Sequence, residues 1–209
     1  MKDILFPIFL ALLFFSCSDI ETIEVKEGNV VIESYTRSKS DFAKQGTYKR
    51  YSSEGTLLEK SEYKDNQLNG IQEFYYPNGQ VQELVNYKNG IHDGEFKSFF
   101  EDGKISQEAT YISGAWEGEM KGYYSNGKLK EVLLFEKGKE MGPFKEYHEN
   151  GNLKTEGTYN GTDPDTDFAL EHSELKKYDE DGNHFQTMDC IYGRCSTTWK
   201  KEGVEINVK

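Results

Sequence analysis

Cysteine is scarce, with three in 209 residues, at Cys17, Cys190 and Cys195. That excludes a disulfide-dense scaffold or a multi-cysteine zinc module. Proline is equally rare, at four, so the turns must be made by other residues. Positive charge is short too: 25 Lys and Arg stand against 37 Asp and Glu, for a net charge of −12. A nucleic-acid partner needs clustered cations to release counterions, and anionic headgroups are repelled by an acidic surface; neither is expected here. The apolar run Ile4 to Phe15 is only 12 residues long, too short to span a bilayer comfortably. No nucleophile elbow, phosphate loop or zinc-protease motif occurs, so no catalytic residue, cofactor or metal is assigned.

Rings and glycines are what the chain does have. Mean hydropathy is low, at −0.79, yet there are 14 Tyr, 13 Phe and 20 Gly. A disordered chain of such polarity would not carry so many aromatics. The glycines are periodic. Gly46, Gly70, Gly94, Gly118 and Gly142 follow one another every 24 residues, and so do Gly55, Gly79, Gly103, Gly127 and Gly151. Between them stand Tyr51, Tyr75, Phe99, Tyr123 and Tyr147. After them come Leu57, Val81, Ile105, Leu129 and Leu153, then Tyr63, Tyr87, Tyr111, Phe135 and Tyr159. Fixed-period similarity of this kind is the mark of a repeat array.

Each unit reads as a β-hairpin. Asn78-Gly79, Asn126-Gly127 and their counterparts tolerate the positive φ of tight turns, and a second turn follows at Asn89-Gly90, Ser113-Gly114 and Lys137-Gly138. The stretches between are aromatic and β-branched, as strands prefer. The expected fold is all-β, an elongated antiparallel sheet of five units over residues 46–161. A partial capping repeat over 17–45 precedes them, and an insertion with capping hairpins over 162–209 follows. Strict alternation puts Leu57 and Tyr63 on one face. Tyr76, Phe100, Tyr124 and His148 recur at one unit position; with the tyrosine hydroxyls wet, they form the candidate binding strip. The neighbouring column Tyr75, Phe99 and Tyr123 is expected to be structural.

Gly118–Leu129 and Gly142–Leu153 most closely show the pattern by which the units resemble the MORN repeat in its bacterial variant form. The resemblance implies an interaction module, with no catalytic residues to carry over. Some bacterial members are antitoxin components and some eukaryotic ones membrane-associated scaffolds. An exported chain fits the first poorly, and the acidic charge fits phosphoinositides poorly.

The 12-residue apolar run ends at Ser16-Cys17, with the proportions of a signal peptide over residues 1–16. The junction resembles the bacterial lipobox, which implies diacylation of Cys17, a membrane partner through that lipid, and a place in the cell envelope. Ser18 after the cysteine favours the outer membrane. The expected function is a non-catalytic scaffold binding an envelope protein or a glycan. The alternatives are an antitoxin or immunity-like protein that binds a toxin, and an enzyme using the segment after Asn160.

Cys190 and Cys195 flank Tyr192-Gly193. If those two form the turn, the cysteines face each other across a hairpin, within reach of a disulfide. The rival is a zinc site of His172, His184, Cys190 and Cys195, whose spacing matches no familiar finger. Asp163, Asp165 and Asp167, with Glu174, echo a calcium loop, but Phe168 stands where that loop needs glycine. A solvated acidic loop is the better reading.

Overall fold

The computed structural model describes residues 19–163, 165–166 and 168–203; the leader and Cys17 lie outside them. The described residues form one open antiparallel sheet of sixteen strands, with neighbours in chain order. An N-terminal hairpin, β1 (Ile20–Glu27) and β2 (Val30–Ser38), is followed by β3 (Lys44–Tyr51) and β4 (Leu57–Lys64) of the first unit. The second unit gives β5 (Gln67–Tyr75) and β6 (Val81–Lys88), and the third β7 (Ile91–Phe99) and β8 (Ile105–Ile112). A two-residue strand β9 (Ala115–Trp116) pairs with β8 and leads into β10 (Gly118–Tyr123) and β11 (Leu129–Glu136). Then come β12 (Lys139–Tyr147), β13 (Leu153–Thr162), β14 (Ala169–Tyr178), β15 (His184–Ile191) and β16 (Arg194–Lys200).

The two turn types divide the work differently from the dipeptide reading. At Asn78-Gly79 only the glycine has positive φ, at 83°. Tyr76 N donates to the Gln80 carbonyl and Gly79 N to the Tyr76 carbonyl, a three-residue turn closed by a glycine bulge. The two-residue turns are the second ones. Asp65-Asn66, with φ of 51° and 64°, and Asn89-Gly90, with 51° and 80°, are left-handed at both positions.

Two bulges recur in the units and overturn strict alternation. Phe74 pairs with Glu83 but Tyr75 with Val81, and the same slip occurs at Arg50/Tyr51 and Ser98/Phe99. Ser98 thus meets both Gln107, its register partner, and Ser106, whose hydroxyl lies 2.8 Å from its own. The slip separates Leu57 from Tyr63. Leu57 pairs with Tyr51 on one face, while Tyr63 lies on the other with Tyr48. The second irregularity falls at the first glycine of each unit, as where β6 pairs Val85 with Phe96 but Tyr87 with His92. Gly94 there has φ 120°, and a Cβ on it would lie 3.0 Å from Asn86 Cβ. Glycine is required on both counts.

With the first glycine of a unit as position one, the core runs through positions three and sixteen. Position three holds Tyr48, Gln72, Phe96, Met120 and Phe144, all buried. Opposite them in register stand Ser61, Val85, Ala109, Leu133 and Gly157. Volume is balanced pair by pair. A ring faces a small partner (Tyr48 and Ser61, Phe96 and Ala109, Phe144 and Gly157), and an unbranched chain faces a branched aliphatic (Gln72 and Val85, Met120 and Leu133). A Cβ on Gly157 would come within 2.9 Å of the Phe144 ring. These pairs, with the rings at position eighteen, form the core face; the other side carries ion pairs such as Lys60–Glu73 at 2.8 Å and Lys97–Glu95 at 3.0 Å.

Candidate functional site

Rings line the core face along its length. Tyr35, Tyr48 and Tyr63 lie in sequence near the start, with centroids 6.5 and 5.9 Å apart. Farther on, His92 sits between Tyr87 and Tyr111 at 4.5 and 4.6 Å, and Trp116 lies 5.8 Å from Tyr111 and 5.0 Å from Phe135. Phe144 stacks on Tyr159 at 4.1 Å. Among the described residues no second layer covers this row, because every strand belongs to the one sheet.

Near the fifth unit the row opens into two hollows. One, of about 560 Å³, has Phe144, Tyr159 and Leu175 at its floor and Glu146, Lys154 and Lys177 among its polar lining. The other, of about 460 Å³, includes Tyr124, Glu149 and Asn150. His148, Lys154 and Glu180 border both. The Tyr159 hydroxyl is held far above its ordinary pKa by burial and then by Glu140, Glu171, Glu146 and Glu131. It is therefore a neutral donor at any physiological pH, surrounded by carboxylates.

Carboxylates recur at position fourteen of the core face, as Glu59, Glu83 and Glu131. Glu59 is well partnered. It is desolvated by burial, but Ser61, Gln72 and Arg50 donate to it and hold its pKa below the usual range. Glu83 differs, because position five of its unit is Phe74 where the first unit has Arg50. It forms no ion pair among the described residues, and burial pushes its pKa up against a weaker opposing pull from His92.

The expected strip is aligned but engaged. Tyr76 and Tyr124 donate their hydroxyls to the carbonyls of Phe99 and Tyr147, one unit on, at 2.7 and 2.6 Å. His148 Nε2 donates to the Tyr178 carbonyl at 3.0 Å. Beside them Asn78, Asn126 and Asn150 donate to the carbonyls of Glu101, Glu149 and Glu180. These residues stitch successive hairpins together at their first turns, so the expectation of wet hydroxyls is corrected. Phe100, at the same position, has no hydroxyl to contribute. The neighbouring column is not the core either: Tyr75 donates to Glu73 and Tyr123 to Glu108 on the ion-paired face. Sequence reasoning missed positions three and sixteen because no single residue type recurs there. The compensating volumes were the available signal.

Cys190 and Cys195 are bonded, in register, with Cα atoms 4.0 Å apart across the Tyr192-Gly193 turn. Both sulfurs of the rival zinc set are thereby consumed. In the acidic loop, Asp163 Oδ1 accepts from the backbone N–H of Asp165 and Thr166. Asp167 lies outside the described residues. Glu174 is on β14, paired with Lys176 at 2.7 Å, and among the described residues no three acidic, histidine or cysteine side chains are gathered where they could hold a metal.

No curated protein matches the chain. The family model of the MORN repeat variant matches it five times, over residues 44–65, 68–89, 93–113, 116–137 and 142–160. Those matches coincide with the five hairpin units and cover half the sequence, and the chain belongs to the MORN repeat variant family.

Proposed function

We propose that this protein is a lipid-anchored, non-catalytic binding scaffold of the bacterial cell envelope. The observation that carries the reading is the uncovered, ring-lined core face running through all five units. The deepest side chains of that face are buried among themselves, but the position-eighteen rings Tyr63, Tyr87, Tyr111 and Tyr159 stay partly exposed on a sheet with no second layer among the described residues. Aromatic side chains presented in this way are enriched at interaction sites. The tether is supported by the 12-residue apolar run ending at Ser16-Cys17, followed closely by β1 at Ile20. Lipid on Cys17 fixes one end of the array to the membrane, and the hairpins extend from there.

Two measurements test this. Metabolic labelling with a palmitate analogue should mark the protein, and Cys17→Ser should abolish the label. A photo-crosslinking residue at position 107, on the core face, should give adducts with an envelope partner in intact cells. The same residue at position 95, on the opposite face, should give none. Equal labelling of wild type and Cys17→Ser removes the anchor from the reading, and equal crosslinking from both faces removes the docking face.

A further inference from the structure

The core face already holds a cation of its own. The Lys44 ammonium lies 5.0, 4.6 and 5.2 Å from the ring centroids of Tyr35, Tyr48 and Tyr63, a distance at which ring quadrupoles attract positive charge. Burial, with Glu33 and Glu59 close by, raises the Tyr48 hydroxyl to about 12. Lys44 stands at position twenty-three of its register, the place held by His92 and Trp116 in later units. There the fold sets a side chain between successive position-eighteen rings, as His92 lies between Tyr87 and Tyr111.

Units two to four repeat the rings without that cation, and units two and four repeat the carboxylate, unit three having Gln107 in its place. Glu83 and Glu131 occupy position fourteen, with Tyr87, Tyr111, Trp116 and Phe135 between them. The one lysine or arginine at a core-face strand position in these units is Lys130, 3.4 Å from Glu131, with half its side chain exposed. The other cations on the strands, such as Lys97 and Lys121, pair with Glu95 and Glu119 on the opposite face.

We propose that the core face of units two to four docks an extended basic polypeptide segment of a partner, its lysine or arginine heads lying over the rings beside Glu83 and Glu131. This names the partner class for the scaffold reading and rests on it. Charge complementarity selects the occupant: an aromatic row edged by carboxylates favours ammonium and guanidinium groups and repels acidic ones. The spacing is set by the sheet. Glu83 on β6 and Glu131 on β11 are four strand spacings apart, roughly 19 Å. An extended segment rising roughly 3.3 Å per residue matches that with cations six residues apart.

The test uses the full chain in detergent and two synthetic peptides of equal composition. One carries arginines six residues apart and the other carries them adjacent, and binding is followed by fluorescence anisotropy at fixed salt. The spaced peptide should bind at least tenfold more tightly. Glu83→Gln with Glu131→Gln should weaken it at least tenfold, while Glu95→Gln with Glu119→Gln on the opposite face should leave it unchanged. Circular dichroism confirms that both double variants are folded. Unchanged affinity in the first pair, or equal loss in the second, overturns the proposal. The scaffold reading would then still stand on the crosslinking from position 107, which asks only whether that face meets a partner.

Discussion

The hydroxyl stitches between hairpins make a prediction that the sequence pattern alone would reverse. Tyr76→Phe and Tyr124→Phe each remove one donor to a neighbouring unit's carbonyl while leaving the ring in place. A hydrogen bond of this kind contributes about 1 kcal/mol net. The two sites lie 48 residues and four strand spacings apart, roughly 19 Å, so their effects should add. The double variant should lose about 2 kcal/mol. For a chain of this size that is a fall in melting temperature of roughly 4–8 °C. Phe100 supplies the converse. It stands between them at the same unit position with no hydroxyl, and Phe100→Tyr places one near the Tyr123 carbonyl, the counterpart of Phe99 and Tyr147. It should gain about 1 kcal/mol. Thermal unfolding followed by circular dichroism reads all three. If the double phenylalanine variant melts with wild type and Phe100→Tyr gives no gain, the hydroxyls are not holding the hairpins together.

The two position-fourteen carboxylates should respond in opposite senses. The Glu59 pKa is held below its usual value, so the stability it contributes is present above the ordinary carboxylate range and lost as pH falls through the folded value. Glu59→Gln should therefore lower the melting temperature at pH 7 and flatten the acid limb of stability against pH. The Glu83 pKa is raised by burial, so its ionised form opposes folding at neutral pH; Glu83→Gln should raise the melting temperature there, and a fall would show a counter-charge where none is seen. Two turn and bulge glycines should also separate. Gly79 has positive φ and open space around the missing Cβ, so Gly79→Asn should cost under about 1 kcal/mol, since asparagine tolerates the left-handed region. At Gly142 a Cβ would stand 2.9 Å from Leu134 Cδ2, so Gly142→Ala adds a clash to the about 1–2 kcal/mol of backbone strain. Equal losses in urea unfolding would refute the distinction.

The hairpin array was legible because its turns are built from residues with unusual backbone freedom, and those repeat without substitution at Gly55 through Gly151. The Cys190–Cys195 bridge was legible because two residues of turn fix which side chains face each other. The faces were not legible. Alternation by twos holds only while the register holds, and the slip at Arg50/Tyr51 and its counterparts moves Leu57 away from Tyr63. A bulge of that kind leaves no residue signature, since positions thirteen and fourteen vary from Leu58 and Glu59 through Ser106 and Gln107 to Lys154 and Thr155. The core was hidden for a different reason: packing constrains the sum of two volumes across a strand pair and leaves each one variable, so Phe96 with Ala109 and Met120 with Leu133 satisfy the same demand.

Units one and two provide an internal comparison that bears on function. They share the fold, the register and a glutamate at position fourteen, and they differ at position five, where Arg50 in one becomes Phe74 in the other. The arginine partners its carboxylate at 3.1 Å; the phenylalanine extends the apolar surface and leaves Glu83 desolvated beside it. For folding alone the second arrangement is the worse, because a half-buried carboxylate without a cation costs free energy that a paired one recovers in part. The exchange makes sense if the missing cation arrives with a partner. A partner's guanidinium would then meet a carboxylate already stripped of part of its water and a ring already in place, so less desolvation and ordering would remain to oppose binding.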